Sequence, residues 1–261
     1  MYTAQPVWEI LMNISGNTIL ITGGATGIGL ALAEAFLEKE NEVIICGRRK
    51  DKLEQAKDKF PQLHTYPCDV ADRQKQKQLY VQVLAKHPDL NILVNNAGIQ
   101  KEVKLKKGLT DLQDEEDEIA INLQAPVRLS ARFIPHLLKQ KEAAIVNISS
   151  GLAFIPIAFM PLYCATKAAL HSFSLSLRHQ LRDTPIRVFE IIPPTTDTEL
   201  DRGARDRRGQ ADRGIQPDIV ATATLEAMKK DEFEIAVGQA EFLRNSSRTD
   251  FKNVFKRMNG G

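Results

Sequence analysis

The chain lacks a strong charge imbalance and any cysteine arrangement suited to a metal site or a disulfide framework. Its 35 basic and 33 acidic residues leave a net charge of +2, so no overall field favours nucleic acid or an anionic membrane surface. The three cysteines, Cys46, Cys68 and Cys164, are an odd number without metal-ligand spacing. We expect reduced, buried thiols, no metal and no nucleic-acid partner.

Signals for secretion and for a membrane span are also missing. Residues 1–11 have neither a basic start nor a long apolar run, and a signal peptide needs both. The uncharged segment 143–166 is long enough to cross a bilayer, but Asn147, Pro156 and Pro161 lie within it. We interpret it as a buried strand followed by an apolar loop, and expect a cytoplasmic protein with no membrane partner.

Short apolar runs alternate along the chain with segments of helical pattern. Such alternation predicts an α/β fold of parallel strands with helices on both faces of the sheet. Runs that are apolar throughout are typical of strands buried on both faces. We interpret residues 1–13 as an N-terminal extension and 14–261 as a single domain. Strands are predicted at 18–22, 42–46, 63–67, 92–95, 144–149, 187–192 and 234–237, and helices at 28–40, 50–58, 72–86, 111–140, 163–182 and 217–230.

A glycine-rich turn follows the first predicted strand. Gly23, Gly27 and Gly29 are spaced Gly-x-x-x-Gly-x-Gly, and helix-forming residues continue from Leu30. A phosphate-binding loop needs this context, because glycines let the backbone approach a pyrophosphate and a helix N-terminus offers unpaired N–H groups. A plain turn would use the same glycines, but the flanking strand and helix favour a dinucleotide site.

The most informative pattern is Tyr163-x-x-x-Lys167, with Ser150 thirteen residues before the tyrosine. On a helix, a spacing of four puts two side chains on one face. An ammonium beside a phenol lowers the pKa of the phenol, toward the range in which a general acid/base works best at neutral pH. An ordinary surface pair would show the same spacing, but the other patterns of the chain favour catalysis.

Taken together, these patterns resemble the short-chain dehydrogenase/reductase family, in the order that the family shows, over roughly residues 14–240. The resemblance implies a Rossmann-like, doubly wound parallel sheet of about seven strands. Within the family, the chain is most similar to the bacterial DltE-like oxidoreductases. The family resemblance lies in Thr22–Gly29, Cys68–Val70, Asn95–Gly98, Asn122, Ser150, Tyr163 with Lys167, and Pro193–Thr198, and the closer one in Asn96–Lys101, Gly151–Phe154 and Leu177–Arg182.

The resemblance implies reversible hydride transfer between a nicotinamide and a carbonyl or alcohol carbon. Tyr163 would be the general acid/base, and Ser150 would hydrogen-bond the substrate oxygen. Lys167 would lower the tyrosine pKa and bond the nicotinamide ribose. Asn122 would hold a water connected to Lys167, although a local backbone bond would also satisfy an asparagine within a helix. Ser149 is the alternative for the serine role, and the spacing favours Ser150.

The end of the second predicted strand bears on the choice of cofactor. A carboxylate there would bond the ribose and repel a 2′-phosphate, but the chain reads Cys46-Gly47-Arg48-Arg49. Arginine binds phosphate through a planar fork of donors. We therefore expect NADP(H) rather than NAD(H), with Arg48 on the phosphate and Arg49 in support, unless both are solvated turn residues. The other cofactor-binding residues that the resemblance implies are Gly23, Thr26, Gly27, Ile28, Gly29, Asp69, Val70, Asn95, Ala97, Gly98, Tyr163, Lys167, Pro193 and Thr198.

One departure from the family lies after the sixth predicted strand, where Pro193-Pro194 stands in place of the usual Pro-Gly. Proline at 194 fixes φ and removes an N–H, so the loop on the nicotinamide side could follow a different path. Residues of about 195–217 occupy the position of a substrate lid, whose arginines either attract an acidic substrate or are solvated. A mainly apolar pocket wall is expected from Phe154, Ile155, Phe159, Met160 and Leu162.

Two further expectations concern assembly and activity. Relatives commonly assemble through the helices at 111–140 and 163–182, which implies a homodimer or homotetramer. The alternative to an enzyme is a non-catalytic NADP(H)-binding sensor or interaction protein on the same fold. A protein that only bound the cofactor would not need Asn122, Ser150, Tyr163 and Lys167 together. The sequence therefore favours an enzyme that acts on a small carbonyl or alcohol.

Overall fold

A seven-stranded parallel sheet forms the centre of the molecule in the computed structural model, which describes residues 11–112, 117–200, 209 and 214–260. The strands follow the order β3-β2-β1-β4-β5-β6-β7. The predicted doubly wound α/β sheet is confirmed, and every predicted strand boundary lies within two residues of the observed one. The strands are β1 (Thr18–Thr22), β2 (Glu42–Gly47), β3 (His64–Pro67), β4 (Leu90–Asn95), β5 (Ala143–Ile148), β6 (Ile186–Ile192) and β7 (Glu234–Ala236).

Helices cover both faces of this sheet. One face carries α1 (Gly27–Leu37), α2 (Lys50–Lys59) and α6 (Pro217–Lys229). The other carries α3 (Arg73–Lys86), α4 (Ala125–Leu137) and α5 (Pro161–Gln180). After β7 the chain forms α7 (Gln239–Thr249) and α8 (Phe251–Met258), two helices that the sequence analysis did not predict.

Alternate side chains of each central strand enter different cores. On β1, Ile19 and Ile21 pack with Phe36 of α1, whereas Leu20 packs with Phe133 of α4. All five residues of β1 are buried, which explains why the strand reads as apolar throughout. Burying one such side chain contributes about 1.5–3 kcal/mol, so the two cores together fix the register of the sheet.

The fold takes in the end of the predicted N-terminal extension. Met12 is buried in the first core, and the backbone N–H of Asn13 donates to Glu142 Oε2 at 3.1 Å. Residues 12 and 13 therefore pack with the domain, whereas residues 1–10 of the predicted extension lie outside the described residues.

The helix predicted at 111–140 differs from expectation. Asp117 Oδ1 accepts hydrogen bonds from the backbone N–H groups of Ile119 and Ala120 at 2.8 and 3.1 Å, so the helical segment is capped there. After residues 118–119 the helix forms a π turn, Ala120–Gln124, which continues into α4. The expected start near 111 is therefore too early, since Thr110–Leu112 is a separate 3₁₀ turn and residues 113–116 lie outside the described part.

Two expectations from composition agree with the fold. Cys46, Cys68 and Cys164 are buried and unpaired, and burial raises the pKa of Cys68 to about 11. Segment 143–166 forms buried β5, a short loop and the start of α5. None of the helices in the described ranges combines the length and apolar character that a bilayer span requires.

Candidate active site

The glycine-rich turn packs directly against the segment that follows β4. Gly23 has a φ of 64°, and a Cβ added there would lie 2.9 Å from Ala97 Cα. A Cβ added at Gly29 would overlap the carbonyl oxygen of Gly23. The turn therefore requires glycine at both positions, because no side chain fits between these backbone segments.

Thr22 and Asn96 hold this turn in place. Thr22 Oγ1 donates to Val94 O at 3.2 Å and accepts from the backbone N–H groups of Asn96 and Ala97 at 3.0 and 3.1 Å. Asn96 Nδ2 donates in return to the carbonyl oxygens of Thr22 and Gly23, at 2.9 and 3.1 Å. Neither residue was among those predicted to bind the cofactor, yet together they join the ends of β1 and β4.

A first cavity of about 420 Å³ opens beside the glycine turn. It lies at the carboxyl ends of β1 and β4, where the strand order reverses direction and where open α/β sheets bind their ligands. All the predicted cofactor-binding residues except Gly29 and Asn95 line it. Those that do are Gly23, Thr26, Gly27, Ile28, Arg48, Arg49, Asp69, Val70, Ala97, Gly98, Tyr163, Lys167, Pro193 and Thr198.

Asn95 lies beneath this cavity instead of in its wall. Its side chain is buried, and Nδ2 donates to Ser130 Oγ at 3.1 Å and to Asn147 Oδ1 at 2.9 Å. Asn147 Nδ2 continues the network to Ser174 Oγ at 2.9 Å. Asn95 therefore joins β4 to β5 and α4 from a supporting position, and its predicted place beside a ribose stays a prediction.

The two arginines after β2 have different surroundings. Arg49 Nη1 pairs with Glu199 Oε2 at 2.7 Å, and Nη2 donates to Thr26 Oγ1 at 3.1 Å. The hydrogen bond from Arg49 lowers the pKa of Glu199, which also lies 3.6 Å from Lys52 Nζ. Arg48 is exposed and lines the first cavity. Arg49 thus ties the glycine turn to the chain that follows Thr198.

Tyr163 and Lys167 lie one turn apart on α5 and are 6% and 4% exposed, which excludes a solvated surface pair. Lys167 Nζ donates to Ile148 O, at the end of β5, at 2.8 Å. The same nitrogen lies 5.6 Å from the centroid of the Tyr163 ring. The β5 carbonyl therefore fixes the amine beside the phenol ring.

The charge of Lys167 is tuned by its surroundings. Burial lowers the pKa of Lys167 from 10.5 to about 8, and the negative charge of Glu190 on β6 partly opposes this effect. With a pKa of about 8, roughly nine molecules in ten carry the ammonium at pH 7. The amine is thus still a cation at neutral pH, but one that loses its proton more easily than an exposed lysine.

Asn122 occupies the π turn before α4 and is fully buried. Its Oδ1 accepts from Ile99 N at 2.9 Å, while Nδ2 donates to Ile99 O at 2.8 Å and to Thr166 Oγ1 at 3.2 Å. These bonds tie the loop after β4 to α5, next to the turn that carries Tyr163 and Lys167. The partners of the amide lie outside its own helix, so the local backbone bond considered above is wrong.

The two candidate serines face different neighbours. Ser149 Oγ donates to Ile191 O on β6 at 3.4 Å. Ser150 Oγ accepts from Leu152 N at 3.2 Å at the start of the 3₁₀ turn Gly151–Ala153. Ser150, unlike Ser149, lines a second cavity together with Tyr163. This arrangement favours Ser150 for the serine role.

This second cavity has a volume of about 510 Å³ and adjoins the first. Of the predicted apolar wall, Phe159 and Met160 line it, whereas Phe154, Ile155 and Leu162 do not. Its far wall comes from the two C-terminal helices, which the sequence analysis missed. The residues of that wall are Gln239, Phe242, Leu243, Val254, Arg257 and Met258. The residues that line both cavities are Ile28, Gln100, Tyr163, Pro193, Thr198 and Leu200.

Only the base of the predicted lid lies within the described residues. Asp197 N donates to Ile215 O at 2.8 Å, and Ile215 N donates to Thr195 O at 3.1 Å, so the two ends of the segment are paired. Pro194 lines the second cavity, and a Cβ on Gly27 would lie 2.9 Å from Thr198 Cγ2. The predicted lid at 201–208 and 210–213, with its arginines, lies outside the described residues.

Comparisons with known proteins agree with this geometry. The model of the short chain dehydrogenase family matches residues 17–209. The uncharacterized oxidoreductase DltE of Bacillus subtilis is 53% identical over 248 residues, which cover 95% of this chain and 98% of that protein.

Two solved structures share the fold. A short-chain dehydrogenase/reductase from Burkholderia phymatum in complex with NAD has a TM-score of 0.83 at 20% identity, covering 96% of this chain and 98% of that one. A short-chain dehydrogenase from Burkholderia cenocepacia in complex with NADP has a TM-score of 0.80 at 24% identity, covering 95% of this chain and 99% of that one.

Proposed function

The chain belongs to the short-chain dehydrogenase/reductase family, and on that premise we propose that it transfers a hydride between NADP(H) and a carbonyl or alcohol carbon of a small molecule. The observation that carries the proposal is the position of Tyr163, which lines both cavities. A cofactor in the first cavity and a substrate in the second would therefore meet at one phenol, beside the amine of Lys167.

The residues around the first cavity fit a dinucleotide. Gly23 and Gly27 have φ values of 64° and 56° and present no side chain to the cavity, so a pyrophosphate could reach the backbone. The side chain of Thr26 does not cap α1, which leaves N–H groups of the first turn available to an anion. Asp69 and Val70 would lie at the adenine, and Ala97 and Gly98 at the ribose.

When bound, NADP(H) would supply or accept the hydride. In the reducing direction, the Tyr163 hydroxyl donates a proton to the substrate oxygen. The Ser150 hydroxyl hydrogen-bonds the same oxygen and stabilises its developing negative charge. Lys167 would favour the ionised phenol and would bond the ribose, while Asn122 positions Lys167 by fixing α5 to the loop after β4. Pro193 and Thr198 would hold the nicotinamide side.

The preference for NADP(H) rests on the two arginines after β2. Arg48 is exposed on the cavity wall, where a guanidinium can bind a 2′-phosphate through paired donors. Arg49 would join it only after exchanging Glu199 for the phosphate, because its Nη1 is paired with that carboxylate at 2.7 Å. We therefore assign the phosphate contact to Arg48, with Arg49 in support.

Assembly and location are further parts of the proposal. Leu138 after α4 and Leu175 on α5 are 43% and 44% exposed, as expected if these helices meet a second copy in a homodimer or homotetramer. Three unpaired thiols suit a reducing cytoplasm. Light scattering of the purified protein would measure its mass, and a monomer at micromolar concentration would contradict the assembly.

The main experiment compares Tyr163→Phe with the wild-type protein. NADPH oxidation with a panel of aldehydes and ketones should fall by at least about a hundredfold in the variant, because a general acid contributes about 10²–10⁴-fold. Its affinity for NADPH, followed by fluorescence titration, should change little. Tyr80→Phe is the matched control, since Tyr80 packs on Phe133 of α4 away from both cavities.

Two results would contradict the proposal in different ways. Normal turnover by Tyr163→Phe would remove the acid/base role of the tyrosine. NADPH binding without turnover of any carbonyl by the wild-type protein would favour the non-catalytic sensor.

A further inference from the structure

The second cavity has a mostly uncharged lining. It carries hydroxyls and amides, including Ser150 and Gln100, together with aliphatic and aromatic side chains. Among the described residues that line it, Arg257 is the single charged one. Tyr163 lines both cavities, whereas Arg257 lines the second alone, so a ligand that extends from the reaction point to the C-terminal wall would meet the guanidinium.

Arg257 has no carboxylate partner within the described residues, unlike several other arginines. Arg49 pairs with Glu199, Arg187 with Glu142 and Arg244 with Glu234. Arg257 instead lies over a ring, with its guanidinium carbon 5.8 Å from the centroid of Phe242. Stacking on an aromatic face leaves the N–H donors at the guanidinium edge able to bind an anion.

The helix that carries Arg257 packs against residues 155–158. Val254 of α8 is buried with Ile155 and Leu243 in a small core of its own. Asn259, two residues after Arg257, accepts from Ala158 N at 2.5 Å and donates to Pro156 O at 3.2 Å. These contacts fix the C-terminal half of α8, so packing sets the backbone position of Arg257, whose side chain is exposed.

The helix that carries Arg257 is basic as well. Residues 251–258 read Phe-Lys-Asn-Val-Phe-Lys-Arg-Met, with three cations and no acid. Lys252 and Lys256 are exposed, so they add a positive field at this end of the cavity. A substrate carboxylate would therefore be attracted to α8, whereas a second cation would be repelled.

Building on the proposed function, we propose that the substrate is an amphipathic oxo acid or hydroxy acid. Its carbonyl or hydroxyl oxygen meets Tyr163, its apolar chain fills the second cavity, and its remote carboxylate binds Arg257. The apolar chain contacts side chains such as Phe159, Met160 and Phe242. Recognition of a carboxylate by a guanidinium is charge-assisted and bidentate, which selects the acid over its ester.

The turnover experiment measures NADPH-dependent reduction of an ω-oxo acid of about ten carbons, a size suited to cavities of this volume, and of its methyl ester. Arg257→Gln should raise KM for the acid about tenfold, as expected for the loss of one partly solvated charge-assisted contact. It should leave kcat for the acid, and both constants for the ester, nearly unchanged. Arg248→Gln is the control, because Arg248 is an exposed arginine of α7 that does not line the cavity.

A binding experiment gives a result without turnover. The wild-type protein with NADP⁺ is titrated calorimetrically with decanoate and with decanol, and Arg257→Gln is treated in the same way. Decanoate should bind more tightly than decanol to the wild type, and the variant should lose that difference. Melting curves establish that each variant folds.

The outcomes separate this proposal from the proposed function. Equal effects of Arg257→Gln on acid and ester, or an unchanged preference for decanoate, would overturn the role of Arg257. Selective decanoate binding without reduction of any carbonyl would preserve the carboxylate site and remove the hydride transfer.

Discussion

The walls of the two cavities are built in different ways. Beside the first cavity, backbone segments are in direct contact. Gly23 packs against Ala97 and Gly29 against the Gly23 carbonyl, so neither position has room for a Cβ. The C-terminal wall of the second cavity is held by side chains, with a small core of Ile155, Leu243 and Val254. The first wall therefore tolerates little change in shape, and the second can change its lining one side chain at a time.

This difference suits the division of labour in the proposed reaction. A cofactor that many enzymes share needs a binding site of constant shape, and close backbone contacts at glycines provide one. A substrate that differs between enzymes needs a wall whose residues can be exchanged without disturbing the sheet. The proposed catalytic pair, Tyr163 and Lys167, lies on α5, with Tyr163 in the lining of both cavities.

The largest expected effect tests the rigidity of the first wall. Gly29→Ala should destabilise the protein by about 1–3 kcal/mol or more, the usual cost of overpacking, because the new Cβ overlaps the Gly23 carbonyl. NADPH binding should weaken as well. Gly47→Ala is the matched control, since a Cβ there meets nothing within 4 Å. Equal melting temperatures for the two variants would contradict the steric account.

The next prediction concerns Lys167, at the junction of the walls. Its pKa is about 8 in the folded protein and near 10.5 when exposed. Between pH 8 and pH 10.5 the unfolded chain therefore binds more protons than the folded protein does. The unfolding free energy of the wild type, relative to Lys167→Met, should therefore rise as the pH increases from about 8 to 10.5, by up to about 3 kcal/mol. Denaturant titrations across this range measure the difference. A flat difference would mean that burial does not penalise the ammonium.

A smaller, local effect is expected in the second wall. Val254→Ala should remove about 2 kcal/mol from the packing of α8, because Val254 is buried with Ile155 and Leu243. Hydrogen exchange in α8 should accelerate while the amides of β1 and β4 keep their protection. Val81→Ala, at a 57% exposed position, should change neither. Faster exchange in the sheet itself would show that the two walls are coupled.

The smallest effect should be seen at the mouth of the first cavity. Glu199→Gln removes the carboxylate that pairs with Arg49, which leaves the guanidinium able to reach a 2′-phosphate. Affinity for NADPH should then rise by up to about fivefold, the range of an exposed ion pair, with less change for NADH. Glu54→Gln, an exposed position on α2, is the control. Equal gains for both cofactors would argue against a phosphate contact.

The sheet and the first cavity could be predicted because their determinants are local in the sequence. Continuous apolar runs mark strands buried on both faces, and the glycines follow β1 directly, so Gly23 and Gly27 could be placed without knowledge of the tertiary structure. Asn95 shows the limit of this reasoning. Its segment passes the site, but the direction of one side chain depends on the partners Ser130 and Asn147.

The C-terminal wall was missed although part of its signal is present. Phe251, Val254, Phe255 and Met258 follow the helical spacing i, i+3, i+4, i+7, which predicts an amphipathic helix. What the sequence could not indicate is where this helix docks, because Asn259 bonds to Pro156 and Ala158 about a hundred residues earlier in the chain. The role of Arg257 depends on that long-range contact.

The π turn at Ala120–Gln124 has a consequence for how this family of sequences can change. A π turn holds one residue more than the α-helix it interrupts, so deleting a single residue there would restore even winding. Each residue of an α-helix turns the chain by about 100°, so the deletion would swing Asn122 away from Ile99 and Thr166. The π turn thus fixes the position of α4 relative to α5. We expect insertions and deletions in related sequences before or after this turn but not within it.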